Sequence, residues 1–121
     1  MFKVINGMKD ILPGEVEKWH FIEEIAKKIF KSYNYKEIRT PMLEVTALFK
    51  RGVGETTDIV EKEMYSFDDK DGTSLSLRPE GTACVVRSYI ENNIYGSEQL
   101  TKYYYMGEMY RHERPQKGRY R

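Results

Sequence analysis

Length, composition and charge narrow the class of protein. The chain has 121 residues, one cysteine and a formal net charge of +1 from 20 basic and 19 acidic residues, so we expect one domain with a modest core and exclude a disulfide framework or a polycation that coats nucleic acid. No apolar run approaches the length of a signal peptide or a membrane span, which together with the lone cysteine predicts a cytoplasmic protein.

The first predicted element is an amphipathic helix over Val16–Tyr33. Its apolar residues recur at every third or fourth position, with charged residues between them, as in a helix that places one face on a core or an interface. Asp10 and Pro13 suit the start of this helix, and Asn34 suits its end. Trp19 lies on the apolar face and is predicted to pack in the core or at an interface.

Short strands and a short helix follow. Residues 35–44 are β-prone, but Pro41 cannot donate a ladder hydrogen bond, so this strand is predicted to lie at an edge or an interface. A short helix is predicted over Glu44–Lys50. Glu63–Phe67 and Ser74–Leu77 are predicted to form a hairpin, because the intervening DDKDG suits a turn with a positive φ angle at its glycine.

The last predicted elements are a helix and a long strand. Thr82–Tyr89 has a helical pattern with Gly81 at its mouth, and the GS pair at 96–97 ends that segment. The tyrosine-rich residues Thr101–Arg111 predict the longest strand. This order of elements predicts an α+β fold over residues 1–121, with a mostly antiparallel sheet and flanking helices.

The basic tail is one candidate site. Six basic and two acidic residues follow from Lys102 onward, and the chain ends on YRHERPQKGRYR. Arg119 and Arg121 would share one face of a strand, and Arg111 could meet them across a hairpin, which would form an anion clamp suited to phosphate. A solvated basic hairpin is the alternative, and composition alone favours it.

The LRPEGTA stretch, Leu77–Ala83, is a second candidate. Pro79 ends the strand, and Gly81 allows a close backbone approach. Glu80 has two interpretations at this position. It could complement the dipole of the following helix, which the motif alone favours; or it could bind an ammonium group together with the Thr82 hydroxyl.

Three isolated side chains predict no chemistry. His20 and His112 lack a second ligand at a useful spacing, so no metal site is predicted. Cys84 has no neighbour in sequence that would activate a thiolate, and we expect it to be a small buried apolar residue.

Several motifs in order resemble a known family. RPEGTA and YRHERPQKGRYR, preceded by GMKDILPGE, IRTPMLE and GETTDIVEKEMYSF, closely resemble the N-terminal part of the bacterial histidyl-tRNA synthetases, a family of class II aminoacyl-tRNA synthetases. The resemblance spans nearly the whole chain. It implies part of a class II catalytic domain, with motif 1 at about 16–44 and a motif 2 that begins at about 101 and is truncated at 121.

The resemblance implies roles in nucleotide binding and dimerisation. Arg111 matches the motif 2 arginine on the α-phosphate of ATP, and Glu113 matches the acidic residue near adenine. Arg119 and Arg121 are implied as contacts to other phosphates or to tRNA. Pro41 matches a motif 1 proline at a homodimer interface.

The resemblance also implies the amino-acid site and the reaction. Glu80, Gly81 and Thr82 would bind histidine, and ATP would activate it to histidyl-adenylate before transfer to tRNA(His). Arg111 would be the catalytic residue, because it can stabilise charge on the α-phosphoryl oxygens. Mg²⁺ on the outer phosphates is expected from the family.

The same resemblance implies a fragment. The chain stops inside motif 2, and the histidine-specific segment, motif 3 and the anticodon-binding domain of the family are absent, so we expect the isolated chain to be inactive.

Two alternatives to this function stay open. One is a catalytically silent paralogue, such as an ATP phosphoribosyltransferase regulatory subunit, and the other is an RNA-binding or interaction module whose affinity would fall steeply with salt.

Overall fold

The structure, a computed structural model, describes residues 1–52, 63–97 and 100–112. Within these ranges three α-helices and five short strands are present, with one 3-10 turn at Ile94–Gly96. The helices are α1 (Val16–Ser32), α2 (Thr46–Gly52) and α3 (Thr82–Glu91), and the strands are β1 (Lys36–Glu37), β2 (Leu43–Val45), β3 (Ser66–Asp68), β4 (Ser74–Leu77) and β5 (Tyr103–Tyr104). This content confirms the predicted α+β fold.

The described strands form two sheets. β2, β4 and β3 make an antiparallel sheet with β4 at its centre, in which Leu43 lies opposite Leu77. β1 and β5 pair in parallel, with Lys36 opposite Tyr103. Most of the pairing is therefore antiparallel, as predicted, while β5 joins a separate parallel pair.

The strand predicted over residues 35–44 is divided in two. Pro41 lies between β1 and β2, where its missing N–H interrupts no ladder. The backbone N–H of Arg78 donates to the carbonyl of Met42 at 2.9 Å, which continues the contact between the two chain segments up to this point. Pro41 is exposed, in agreement with a position outside the sheet interior.

The long strand predicted over 101–111 is shorter in the structure. Only Tyr103 and Tyr104 have ladder partners. Further along, the Arg78 side chain donates its Nε–H to the carbonyl of Glu108 at 2.9 Å, so this backbone acceptor is used by a side chain and not by a neighbouring strand. The prediction fails because strand propensity carries no information about such a partner.

Helix α1 ends where the sequence predicts. Asn34 adopts a left-handed conformation with φ of 63°, and the N–H of Tyr35 donates to the carbonyl of Phe30 at 2.9 Å, which is the Schellman pattern of a helix end. No residue of α1 is buried, and Trp19 is 48% exposed. The described residues therefore do not provide a core for the apolar face of this helix.

The β3–β4 turn also follows its prediction. Gly72 has the positive φ angle that the sequence requires, at 88°. The N–H of Asp69 donates to the carbonyl of Thr73 at 2.8 Å, and the Asp71 carboxylate accepts from the N–H of Thr73 at 2.9 Å. Hydrogen bonds from the backbone and side chain of Thr73 lower the pKa of Asp71 below its ordinary value.

The core of the described residues is small and lies between α2, α3 and β4. Phe49 and Cys84 are fully buried, and Met64 packs with them. Burial confirms the prediction for Cys84 and raises the pKa of its thiol.

A chain of hydroxyl groups links the start of α2 to β4 and β3. Ser76, which is fully buried, lies 2.8 Å from the Thr46 hydroxyl and 2.7 Å from the Ser66 hydroxyl. Thr46 also lies 2.7 Å from the hydroxyl of Ser74. These side-chain hydrogen bonds join the first residue of α2 to β4, and β4 to β3.

Candidate active site

The candidate site is built on the turn that leaves β4 and enters α3. The backbone of Arg78 lies between two other chain segments. Its N–H donates to the carbonyl of Met42, and its carbonyl accepts from the N–H of Tyr110 at 2.9 Å. Pro79 and Gly81 are buried behind this contact. The turn is therefore held from both sides by residues distant in sequence.

Glu80 caps helix α3. Its carboxylate accepts hydrogen bonds from the backbone N–H of Thr82 at 2.6 Å and of Ala83 at 3.1 Å. This is the geometry of the helix-dipole interpretation. A carboxylate has about four lone-pair positions, so these two donors leave acceptor capacity on the same group for a further donor. The cap also holds the carboxylate in one orientation at the mouth of the helix.

Gly81 is a glycine because an aromatic ring lies directly against it. A Cβ atom at this position would come within 2.3 Å of Cε2 and 2.6 Å of Cζ of Tyr105. The Tyr105 hydroxyl lies 3.5 Å from that of Thr82, which is exposed at the first turn of α3. The close approach predicted at Gly81 is therefore observed, and its partner is Tyr105.

Arg111 reaches the same turn from the other side. Its Nε–H donates to the carbonyl of Pro79 at 3.0 Å, and its side chain is part-buried. Pro79 is adjacent in sequence to Glu80, so the structure brings Glu80, Thr82 and Arg111 to one short segment of backbone. The neighbouring His112 instead packs its ring on Tyr65, with ring centroids 5.2 Å apart.

Other predicted residues lie elsewhere. Glu113, Arg119 and Arg121 fall outside the described residues. Pro41 follows Thr40, whose carbonyl accepts from Nη1 of Arg78 at 3.2 Å. The proposed interface residue and the candidate site are thus connected through one arginine.

Two residues of this region were missed by the sequence analysis. Arg78 is buried beneath the turn, and Tyr105 covers Gly81. The need for a close approach at Gly81 indicated that something would pack there. Nothing local distinguishes Tyr105 from the neighbouring Tyr103 and Tyr104, because the contact depends on the register of a distant segment.

Across 1–52, 63–97 and 100–112, no cluster of three or more His, Cys, Asp or Glu side chains is arranged to hold a metal ion. None of the helices in these ranges combines the length and apolar character needed to span a membrane.

Comparison with known proteins identifies the family. The family model of histidyl-tRNA synthetase matches residues 7–121. The histidine–tRNA ligase of Halothermothrix orenii is 62% identical over 119 residues, which are 98% of this chain and 28% of that protein. The histidine–tRNA ligase of Geobacter sulfurreducens is 59% identical over 121 residues, or 29% of its length. The chain thus spans less than a third of these curated relatives.

Solved structures give the same result. The crystal structure of apo S. aureus histidyl-tRNA synthetase matches with a TM-score of 0.78 at 47% identity, over 90% of this chain and 25% of that chain. A protein from Bacillus halodurans C described as an ATP phosphoribosyltransferase regulatory subunit/histidyl-tRNA synthetase matches with a TM-score of 0.75 at 26% identity, over 92% of this chain and 28% of its own. Sequence and fold agree that the chain belongs to the histidyl-tRNA synthetase family.

Proposed function

We propose that this chain forms part of the active site of a histidine–tRNA ligase. Such an enzyme activates histidine with ATP and transfers it to tRNA(His). The observation that carries the proposal is the convergence of an acidic and a basic side chain on one turn: Glu80 lies at the mouth of α3, and Arg111 contacts the carbonyl of Pro79. Family membership supports the same reaction.

Histidine binds through its ammonium group. The Glu80 carboxylate accepts one ammonium N–H, and the Thr82 hydroxyl accepts another, while Gly81 between them admits the Tyr105 ring against the backbone of the site. The cap bonds from Thr82 and Ala83 hold the carboxylate in place before the ligand arrives. A charge-assisted hydrogen bond of this kind selects an amino acid over a neutral analogue.

ATP binds with its α-phosphate at Arg111. A carboxylate oxygen of histidine attacks the α-phosphorus, the bond to the bridging oxygen of pyrophosphate breaks, and pyrophosphate leaves with that electron pair. The Nε–H bond to Pro79 fixes the plane of the Arg111 guanidinium. Its positive charge then stabilises the negative charge that builds on the α-phosphoryl oxygens. Alignment of the two substrates lowers the barrier further.

Further contacts to the nucleotide are assigned by resemblance. Glu113 is proposed to lie near adenine, and Arg119 and Arg121 to contact other phosphates or the tRNA. Mg²⁺ would neutralise charge on the outer phosphates; the described residues offer no cluster of ligands for it.

A homodimer in the cytoplasm is proposed for the complete protein. Pro41 is exposed in the segment that leads into β2. The apolar face of α1 is exposed as well, with Ile22 at 60% and Ile29 at 52%. Burial of this face against a second copy would remove apolar area from water, which favours association.

Histidine-dependent exchange of pyrophosphate into ATP tests the proposed reaction. A full-length ligase that carries these 121 residues is assayed with Glu80→Gln and Arg111→Ala. We expect Glu80→Gln to raise the KM for histidine by about 10-fold or more, because the charge-assisted bond is lost. We expect Arg111→Ala to lower kcat by about 100-fold to 1,000-fold, as the loss of one transition-state donor does.

Glu91→Gln is the matched control for the carboxylate. Glu91 lies on α3, is exposed and pairs with Arg87 away from the turn, so its loss should leave both KM values unchanged. Equal kinetics in Glu80→Gln and in the unsubstituted protein would contradict the assignment.

A regulatory paralogue is the second candidate, because the Bacillus halodurans C protein carries that description. It predicts binding of histidine without any exchange of pyrophosphate. An RNA-binding module predicts neither, and its affinity for RNA would fall steeply with salt. The same assay, with a titration of histidine, separates the three.

A further inference from the structure

Arg78 is a buried cation whose described partners are neutral oxygens. Its residue exposure is 8%. Nε–H donates to the carbonyl of Glu108 at 2.9 Å, and Nη1–H donates to the carbonyl of Thr40 at 3.2 Å, with the Thr40 hydroxyl at 3.4 Å. A buried guanidinium is costly unless its donors are satisfied. These bonds satisfy the Nε–H and Nη1–H donors of the guanidinium, which point in different directions.

The two acceptors belong to different parts of the chain. Thr40 precedes β2, and Glu108 lies between β5 and Arg111. The backbone of Arg78 contacts the same two segments, because its N–H donates to Met42 and its carbonyl accepts from Tyr110. Side chain and backbone of one residue therefore hold both segments at a fixed separation.

Gly107 shows how closely the second segment approaches. A Cβ atom at Gly107 would lie 2.5 Å from Nη2 and 3.6 Å from Cζ of Arg78. The backbone passes directly over the guanidinium, so even one methyl group would force a displacement. The packing at Gly107 is independent of the hydrogen bonds and places the same segment against the same side chain.

Arg111 lies three residues beyond Glu108. It reaches the carbonyl of Pro79, the residue that follows Arg78, at 3.0 Å. Three hydrogen bonds therefore join residues 78–79 to residues 108–111. Arg78 bonds to Glu108 and to Tyr110, and Arg111 bonds back to Pro79. A shift of the Glu108 carbonyl would carry Arg111 with it.

We propose that Arg78 is a positioning residue that holds the 107–110 segment in place and thereby aligns the Arg111 guanidinium for its phosphate ligand. This inference rests on the proposed function for the identity of the ligand. Arg78 itself acts through this segment and is not proposed to touch a substrate. An arginine is required because its planar fork donates in two directions at once, whereas a lysine ammonium sits at the end of a single flexible stem.

The test uses Arg78→Met and Arg78→Lys in the full-length ligase that carries these residues. We expect Arg78→Met to lower kcat for pyrophosphate exchange by about 100-fold, as a misplacement of about 1 Å does, while the KM for histidine stays within about 3-fold because Glu80 is not displaced. Arg78→Lys should recover only a minor part of the loss.

Arg87→Met is the matched control. Arg87 is an arginine of intermediate exposure that pairs with Glu44 and Glu91 and ties α3 to β2. We expect it to lower the Tm to a similar degree while kcat changes little. A loss of kcat in Arg78→Met that is no larger than the loss in Arg87→Met would overturn the proposal.

Gly107→Ala covers the case in which Arg78→Met does not fold. It keeps the charge and crowds Nη2, and Gly96→Ala is its control because a Cβ at Gly96 meets nothing within 4 Å. We expect kcat to fall by about 10-fold in Gly107→Ala only. Equal activity of the two glycine variants would overturn the proposal.

Amide hydrogen exchange separates this inference from the proposed function. In Arg78→Met, residues 107–112 should exchange faster than in the unsubstituted protein, whereas Arg87→Met should leave them unchanged. Unaltered exchange at 107–112 would overturn the positioning role even if the enzyme is a histidine–tRNA ligase. If the unsubstituted protein shows no histidine-dependent pyrophosphate exchange, the proposed function fails, and the exchange of these amides still decides whether Arg78 holds the segment.

Discussion

Two regions of the molecule differ in how much of their apolar surface the described residues bury. The β2–β4–β3 sheet with α3 buries Phe49, Cys84 and Ser76 fully. Helix α1 has an equally clear amphipathic pattern and buries no residue. An apolar stripe predicts that a face will be covered but does not identify the covering surface, whereas a polar turn such as LRPEGTA is satisfied by groups within the described residues.

The difference extends to the polar groups. The fully buried Ser76 hydroxyl shares hydrogen bonds with Thr46 of α2 and Ser66 of β3. The Ser32 hydroxyl on α1 instead donates to the carbonyl of Ile29 at an exposed site. The sheet region therefore depends on specific partners, and α1 depends chiefly on its own backbone hydrogen bonds and on its cap at Asn34.

Removal of a core ring should produce the largest effect on stability. Phe49→Ala deletes a fully buried side chain, and we expect a loss of about 3–5 kcal/mol in the free energy of unfolding. Trp19→Ala on α1 should cost less than about 1 kcal/mol in the monomer. Urea unfolding followed by circular dichroism measures both. An equal loss in the two variants, at a concentration where the chain is monomeric, would contradict the comparison.

Loss of a buried hydroxyl should have the next largest effect. Ser76→Ala leaves the hydroxyls of Thr46 and Ser66 without their shared partner, and we expect a cost of about 1–3 kcal/mol. Ser32→Ala is the control on α1, and its exposed hydrogen bond should be worth less than about 0.5 kcal/mol. Thermal unfolding of both variants measures the stability that each loses. A larger loss of stability in Ser32→Ala than in Ser76→Ala would contradict the prediction.

Thiol reactivity sharpens the same contrast. Burial, together with the charges of Glu44 and Glu80, raises the pKa of Cys84. We expect an aromatic disulfide reagent to modify Cys84 only as the protein unfolds, while a cysteine placed on α1 by Ile22→Cys in a Cys84→Ala background reacts at once. Rapid modification of Cys84 in the folded protein would show that the core is open.

The raised pKa of Cys84 also sets a direction for alkaline stability. The neutral thiol is favoured in the folded state, so its contribution is complete below the pKa of the unfolded thiol. It is lost as the pH rises toward the folded value. Stability above the ordinary thiol pKa should therefore fall less steeply with pH in Cys84→Ala than in the unsubstituted chain, as measured by Tm.

The smallest effect is expected at the exposed β3–β4 turn. The pKa of Asp71 is lowered by hydrogen bonds from Thr73, so the ionised carboxylate stabilises the fold above the unfolded pKa. This contribution is lost as the pH falls through the folded pKa. The Tm difference between the unsubstituted chain and Asp71→Asn should thus vanish in strong acid. A difference that grows as the pH falls would have the wrong sign.

The sequence predicts features that depend on one residue or one turn. Asn34 ends α1, and Gly72 forms the β3–β4 turn with a positive φ, because each conformation is favoured by local chemistry. Cys84 was predicted to be buried and is. The motif in Leu77–Ala83 was also sufficient to indicate a helix mouth with an acidic side chain.

Features that depend on distant partners could not be predicted. The parallel pairing of β5 with β1 joins two segments that are far apart in sequence. Beyond β5, the carbonyl of Glu108 accepts a hydrogen bond from the Arg78 side chain, and the sequence around Arg78 gives no sign of this contact. Tyr105 was missed for the same reason. The contact of the Arg111 side chain with the carbonyl of Pro79, next to Glu80, likewise depends on residues far apart in sequence.

In the proposed function, Glu80 and Arg111 bind one ligand at the turn between β4 and α3. Calorimetric titration with a non-hydrolysable analogue of histidyl-adenylate tests this most directly in the full-length ligase. We expect Glu80→Ala and Arg111→Ala each to weaken binding by about 10-fold or more, while Glu91→Gln has no effect. Full affinity in either Glu80→Ala or Arg111→Ala would show that the two side chains do not share a ligand.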